Sequence, residues 1–303
     1  MCFAFGRTVI LRAFEYHAPT SLNEALSLLQ ELGEAARPLA GGTDLVVQMK
    51  ENATKFAAPS HIVNLLRVPE LGGIEFSESQ GLRIGAGATM AEVAESPAIR
   101  ERYQAIAEGA ALVGSIQTMN MATVGGNLCN AAPSADIAPP LLAFEAEAVI
   151  VGPLGRRSLS LEEFFVGPGK TALAAEELLA EVRVPVPSAG TGSAYDRHTP
   201  RKQMDIAVVG VAAALTIAAD RIERARVALG AVAPTPVRAR EAEAALEGQA
   251  PSDEVFARAA EIAAEAECSP IADVRGSAEF RRHIVRVMTM RMLQEVRDRA
   301  RSG

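Results

Sequence analysis

Thr123-Val124-Gly125-Gly126-Asn127-Leu128-Cys129-Asn130-Ala131-Ala132-Pro133-Ser134-Ala135-Asp136 is the stretch on which the reading of this chain turns. Two adjacent glycines, two asparagines and one carboxylate stand here with three hydroxyl or thiol side chains and no lysine or arginine. No basic residue occurs between Arg102 and Arg156. Small side chains let a ligand approach the backbone, and the polar groups on offer are backbone N–H and short side chains. A loop made this way holds a phosphate without a counter-charge. Gly, Asn, Pro and Ser also dominate ordinary turns, so the stretch taken alone reads equally well as a surface turn.

A second segment shifts the balance. Pro38-Leu39-Ala40-Gly41-Gly42-Thr43-Asp44-Leu45 is another Gly-Gly turn, after an expected strand over 37–40 and before the apolar run Leu45-Val46-Val47. Together the two turns can hold a pyrophosphate from two sides. Neither has the spaced glycines of the dinucleotide fingerprint. Downstream, Asp136-Ile137-Ala138-Pro139-Pro140 suits a helix start, with Asp as cap and proline in the first turn. The loop is then delivered onto a helix N-terminus, whose partial positive charge favours an anion.

Two decoys fail on their own terms. Gly85-Ala86-Gly87-Ala88-Thr89-Met90 follows a strand and opens a helix, but Met90 stands where close strand–helix packing needs Gly or Ala. Gly169-Lys170-Thr171 has Phe164 where a P-loop needs its first glycine.

The first part of the chain reads as α/β, and the chain as a whole as α+β. Ser21-Leu22-Asn23-Glu24 and Thr89-Met90-Ala91-Glu92 have the capping-box form. A helix is expected from Ser21 to Gly33 and another from about Pro97 to Val113, followed by a long loop that carries the opening stretch. Strands are expected at 61–65, at two places within 71–88 joined by the turn 77–81, at 149–151 and at 157–159. The proline- and glycine-rich run 185–192 marks a boundary. Beyond it come alanine-rich runs at 207–218 and 222–229, ambiguous between strand and helix by pattern alone. Helices follow over 237–246, 253–266 and 277–300, the last read as solvated or subunit-facing. His61 lies among apolar residues and reads as a structural histidine.

Composition bounds the function. The chain has 303 residues, 49% hydrophobic and 22% charged, which suits two or three globular domains. A net charge of -7, 4% aromatic residues and no Trp argue against a nucleic-acid surface. Cys2, Cys129 and Cys268 are too scattered for a metal motif or a disulfide framework. The apolar start Met1–Leu11 is short and carries Arg7, so it reads as a first strand rather than a signal peptide, and no stretch is apolar enough to span a bilayer. The expected compartment is the cytoplasm.

The motifs Ala40-Gly41-Gly42-Thr43-Asp44 and Thr123-Val124-Gly125-Gly126-Asn127 resemble those of the FAD-binding medium subunit of the molybdenum hydroxylases, the family of aerobic carbon monoxide dehydrogenase and xanthine dehydrogenase. In the same order, Leu82–Thr89, Phe164–Thr171 with Glu176-Glu177-Leu178-Leu179, and Tyr195 with Arg201 and Asp205-Ile206-Ala207 resemble further parts of that family. The resemblance covers nearly the whole chain. It implies an FAD-binding domain over 1–187 of the vanillyl-alcohol-oxidase/PCMH type, with subdomains of about 1–58 and 59–187. A C-terminal domain over 188–303 follows, with a small antiparallel sheet, which decides the ambiguous runs for strand, and a helix bundle.

It also assigns roles. Leu39, Ala40, Gly41, Gly42, Thr43 and Asp44 form the first pyrophosphate loop, through the Gly41 and Gly42 amides and the Thr43 hydroxyl. Thr123, Gly125, Gly126 and Asn127 form the second, and Asn130 lies on its flavin side. Asp136 accepts from a ribityl or adenosine hydroxyl, or caps its helix, and Leu179 packs on the cofactor. Tyr195 covers the isoalloxazine, with a core tyrosine as the alternative, and Lys202 or Arg201 stabilises reduced flavin, with simple solvation as the alternative. Where many relatives carry a basic residue upstream of the second motif, this chain has Gln117-Thr118-Met119-Asn120-Met121. The implied FAD is non-covalent. The molybdenum cofactor and two 2Fe–2S clusters belong to a large and a small partner subunit in a dimer of heterotrimers. Electrons leave to an external acceptor such as NAD, a quinone or oxygen. Two other classes stay open: a self-sufficient FAD oxidoreductase of the same fold, and a flavin-free scaffold.

Overall fold

The computed structural model describes residues 12–50, 58–201 and 204–302. The expected first strand over Met1–Leu11 and Lys202 lie outside the described residues.

The first unit is a small parallel sheet of β1 (Glu15–His17), β2 (Ala36–Leu39) and β3 (His61–Asn64), in the order β1-β3-β2. The helix Leu22–Leu32 links β1 to β2. Its start is fixed by the Ser21 hydroxyl, which accepts from the Glu24 amide at 3.2 Å. The reciprocal half of the expected capping box is displaced by one residue, because the Glu24 carboxylate accepts from the Thr20 amide. Ala25 and Leu29 of this helix pack with Ala36 and Val63 of the sheet. The same cluster includes Val151, Leu178 and Ala180 of the next sheet, so the two units share apolar surface.

The second unit is a five-stranded antiparallel sheet: β4 (Ile74–Ser77), β5 (Gly81–Gly85), β6 (Glu147–Gly152), β7 (Gly155–Ser160) and a later strand, Leu178–Val184. A short hairpin of β8 (Phe165–Gly167) and β9 (Lys170–Thr171) precedes that strand, β10, which sits centrally in the order β4-β5-β10-β6-β7. Short helices cover the sheet, and here the structure corrects the sequence reading. The single helix expected over 97–113 is two, Pro97–Arg102 and Gln104–Ala111. The break falls at Tyr103, which is fully buried, donates to the Pro185 carbonyl at 3.0 Å and packs edge-on to Phe144. Burying that ring outweighs helix continuity. The expected long loop also contains two helical turns, Ile116–Met119 and Val124–Asn130.

The third unit is an antiparallel meander of β11 (Thr191–His198), β12 (Val209–Ala218), β13 (Arg221–Gly230) and β14 (Val237–Arg238). β12 is buried on both faces. Val209, Val211, Ala213 and Leu215 point into a core shared with the C-terminal helices, while Ala212 joins the core of the second unit. Small residues at 212 and 228 let the sheet approach the helix Ala138–Ala143, and Gly230 leaves no room for a Cβ, which would stand 2.8 Å from Pro139. Residues 237 and 238 pair with β13 instead of opening a helix, which starts at Arg240 and runs to Leu246. The helices Asp253–Glu265 and Ala278–Ser302 pack on each other, and the second also lies on the sheet. The last helix is therefore not simply solvated: Val285, Met288, Met292, Leu293 and Val296 form its buried face.

Candidate functional site

A cavity of about 680 Å³ opens where the first two units meet. Its lining includes every residue from Leu39 to Asp44, together with Thr123, Gly125, Gly126, Asn127, Asn130, Asp136 and Leu179. Segments about 80 residues apart in sequence thus form one surface, as the two Gly-Gly turns implied.

The turns touch directly. A Cβ on Gly41 would lie 1.7 Å from the Met121 carbonyl oxygen, so only glycine allows the contact. Gly42 has φ +71°, a backbone region that side chains disfavour. Gln48 adds a side-chain hydrogen bond to Asn130 Oδ1 at 3.4 Å. The helix Leu45–Lys50 follows, with Leu45 and Gln48 in the cavity lining.

The two turns differ in what they offer. No backbone amide from Gly41 to Asp44 donates to an acceptor among the described residues. These N–H groups stand at the cavity wall without acceptors among the described residues. In the second motif the amides are engaged: Val124 N–H donates to Ala88 O, Gly125 N–H to Ala86 O, and Asn127 N–H to Thr123 O. Thr123 caps the helix Val124–Asn130, its hydroxyl accepting from Gly126 N–H at 3.0 Å. Glycine inside a helix costs roughly 1 kcal/mol relative to alanine, but a Cβ on Gly125 would stand 2.7 Å from Ala86. The second turn therefore contributes a close backbone surface rather than free donors. It also contributes the Asn127 side chain, whose Oδ1 is buried without a hydrogen-bond partner among the described residues.

Asp136 lies on the cavity wall, 6% exposed. It does not cap the following helix, whose N-cap is Ile137 with no side-chain hydrogen bond. The carboxylate turns instead to β11. Tyr195 Oη donates to its Oδ1 at 2.9 Å, and Arg197 forms a buried ion pair with its Oδ2. Residues two apart on a strand share a face, which is why both reach one carboxylate. Burial raises the Asp136 carboxyl to about 6, against the lowering effects of Arg197 and the Tyr195 hydrogen bond. It is ionised at neutral pH and neutralises Arg197. Burial, with the Asp136 charge adding to it, holds the Tyr195 phenol well above its ordinary range.

Tyr195 stands beside Asp136. Its side chain is 5% exposed and does not line the cavity; it supports Asp136 from behind. Gly210 faces its hydroxyl, and a methyl group added there would stand only 2.7 Å from it. Arg201 is also absent from the wall: its amide and guanidinium fold back on Asp205 at 3.0 and 3.4 Å. Sequence reasoning missed Arg197, Gln48 and Ala86, all in the lining. The alternation of β11 would have found Arg197 once Tyr195 was placed. Cys129 lines the cavity, and burial pushes its thiol up to about 12, which keeps it protonated and unreactive.

Comparison with known proteins gives the family. Residues 12–187 match the FAD binding domain in molybdopterin dehydrogenase, and residues 193–296 match the CO dehydrogenase flavoprotein C-terminal domain. The carbon monoxide dehydrogenase medium chain of Hydrogenophaga pseudoflava is 38% identical over 280 residues, covering 92% of this chain and 96% of that one. The xanthine dehydrogenase FAD-binding subunit of Escherichia coli is 34% identical over 281 residues, covering 92% and 94%. Among solved structures, carbon monoxide dehydrogenase from H. pseudoflava lacking the Mo-pyranopterin moiety of its molybdenum cofactor superimposes with a TM-score of 0.90 at 38% identity, covering 96% of this chain and 99% of that one. Quinoline 2-oxidoreductase from Pseudomonas putida gives 0.89 at 30% identity, with the same coverage. The chain belongs to the family of FAD-binding subunits of the molybdenum hydroxylases, and is an oxidoreductase subunit.

Proposed function

We propose that this chain is the FAD-carrying electron-transfer subunit of a cytoplasmic molybdenum hydroxylase, receiving electrons from the 2Fe–2S clusters of a small partner subunit and passing them to an external acceptor. The substrate is oxidised at the molybdenum site of a large partner subunit, and the assembly is a dimer of heterotrimers. The carrying observation is the row of amides from Gly41 to Asp44, which have no acceptor among the described residues and line one cavity with glycine backbone and Asn127. This arrangement fits a pyrophosphate. Neutral N–H donors hold its oxygens, and the small residues of both turns keep the backbone at the cavity wall. The buried Asn127 Oδ1 also has no donor among the described residues, and a ligand N–H or O–H would supply one. Bound FAD supplies the reversible electron chemistry.

The chain's own residues do the rest. Gly41–Asp44 bind the phosphates, and Leu179, buried in β10, supplies apolar wall. Asp136 is fixed by Tyr195 and Arg197 as an acceptor for a ribityl or adenosine hydroxyl. No histidine lines the cavity, and the Cys129 thiol stays protonated, in keeping with non-covalent attachment. The names of the relatives support the wider reading: medium chain of carbon monoxide dehydrogenase, and FAD-binding subunit of xanthine dehydrogenase. No described helix is long and apolar enough to cross a membrane.

The test is purification of the chain from its native source. We expect one FAD released per chain by acid precipitation, co-purifying iron–sulfur and molybdenum subunits, and flavin bleaching when the complex meets its substrate. A colourless chain that takes up no FAD, or one that turns over substrate alone, sinks the proposal.

A further inference from the structure

Away from the cavity, three potential metal ligands converge on the parallel sheet. β1 and β3 pair in parallel with Glu15 beside His61. Residues two apart on a strand share a face, so His17 projects on the same side as Glu15. His17 Nε2 lies 3.2 Å from His61 Nδ1, which lies 3.4 Å from Glu15 Oε2. All three atoms fall within 4.8 Å of one another. Two of the chain's four histidines thus meet one carboxylate, although 44 residues separate them in sequence. That separation is why no spacing motif announced the cluster.

Hydrogen bonding leaves the group incompletely satisfied. His61 Nδ1 faces both an imidazole nitrogen and a carboxylate oxygen. Protonated, it can direct its single N–H at one of them only; bare, its lone pair faces the carboxylate's. A cation between the three atoms satisfies all of them. Tetrahedral ligands at 2.0–2.1 Å from zinc stand ~3.3–3.4 Å from one another; the His17–His61 and His61–Glu15 separations lie close to that edge, and the third, within 4.8 Å, shortens to it on rotation of the exposed Glu15 side chain.

We propose that Glu15, His17 and His61 form a binding site for a divalent transition-metal ion of the zinc class, with water completing the coordination. Two imidazoles and a carboxylate are the ligand set such ions favour. The Glu15 side chain is 74% exposed and that of His61 21%, so the ion enters from solvent and a coordination position stays open. The ion ties the three-residue strand β1 to β3, beside the Glu15 N–H to Ser60 O hydrogen bond of 2.8 Å. Because the ligands come together only in the folded chain, binding stabilises the fold.

The test uses the full chain, stripped with EDTA and exchanged into metal-free buffer. Zn²⁺ is titrated by calorimetry and Co²⁺ by visible absorption. We expect one saturable ion per chain, Co²⁺ ligand-field bands of a nitrogen–oxygen site, and a Zn²⁺-dependent rise in Tm. Loss of a partner that merely orients a ligand weakens metal binding about 10- to 100-fold. His17→Ala and His61→Ala each remove a ligand itself, so each is expected to weaken Zn²⁺ binding by about 100-fold or more and to abolish the Co²⁺ bands. Glu15→Gln keeps the side-chain volume at an exposed position, and far-UV circular dichroism checks that it folds. It is expected to weaken binding by about 10-fold or more. Unchanged affinity and Co²⁺ spectrum in Glu15→Gln, or no saturable Zn²⁺ binding by the wild-type chain at micromolar concentrations, overturns the proposal.

Discussion

Gly41 lies directly against the backbone carbonyl of Met121, so that an added methyl group would stand 1.7 Å from the oxygen and 2.5 Å from the carbon. This contact brings the first Gly-Gly turn beside the segment leading into the second. The obstacle is backbone on both sides, so neither partner can swing away as a flexible side chain would. Gly41→Ala is expected to force the turns apart, costing about 1–3 kcal/mol or more as overpacking does, and to release FAD during gel filtration. Gly167→Ala is the control, because nothing lies within 4 Å of the added methyl there and its φ is not in the left-handed range. Urea unfolding and flavin content of the two variants check the contrast.

Asp136 gives the cavity a pH signature. Burial lifts its carboxyl from the ordinary 3.8 to about 6 in the folded chain. The folded state thus holds this proton more tightly than the unfolded state. The resulting stability is fully present below the unfolded value and is lost as pH rises through about 6. A shift of this size corresponds to about 3 kcal/mol. Asp136→Asn is expected to remove that slope, read as a flattened urea midpoint between about pH 4 and 6. At pH 8 the same variant leaves Arg197 buried without its counter-charge, so a loss of about 3–5 kcal/mol is expected. Adding Arg197→Met should recover much of it. Tyr195→Phe removes a hydrogen bond that lowers the carboxyl, so the sloping region should extend upward in pH.

Thr123 joins the second motif to its own helix. Its hydroxyl accepts from Gly126 N–H at 3.0 Å, and Thr123 is 1% exposed. With glycines at two of the first three helical positions, little else favours the turn. Thr123→Ala is expected to cost about 1–2 kcal/mol and to speed amide exchange at Gly126 and Asn127. Thr123→Ser keeps the acceptor and should retain most of the stability. Equal exchange rates in the two variants would show that the cap does not hold the turn.

What could be read from the sequence follows from where the decisive interactions lie. The Gly-Gly turns were legible because glycine at consecutive positions reports a backbone that something approaches, and both turns line the cavity. Ser21 and Thr89 were legible because caps are local, and each does accept from the amide three residues on. Tyr103 was not, since its helix break depends on Phe144 and Pro185, far along the chain. β12 was ambiguous because a strand buried on both faces carries no alternation, and in both β12 and β13 the alanines at 212 and 228 answer to the packing between two cores. Asp136 was misassigned in part for the same reason. Its position beside a helix start favoured a cap, whereas the partners that claim it arrive from β11, about 60 residues later.

Asn127 separates the needs of the fold from those of the ligand. Its Oδ1 is buried without a partner among the described residues, and such an acceptor costs about 1–3 kcal/mol when left unpaired. Asn127→Leu removes that penalty at similar volume. The ligand-free chain should therefore unfold at an unchanged or higher urea concentration. If a cofactor N–H or O–H satisfies this oxygen, the same change loses a hydrogen bond on binding, and FAD affinity should fall by roughly 10-fold, as expected for about 1.4 kcal/mol. The opposite signs are the informative result. Denaturant midpoints of the stripped chain and fluorescence titration with FAD measure the two separately. A variant that loses stability while keeping FAD affinity would assign Asn127 to the fold alone.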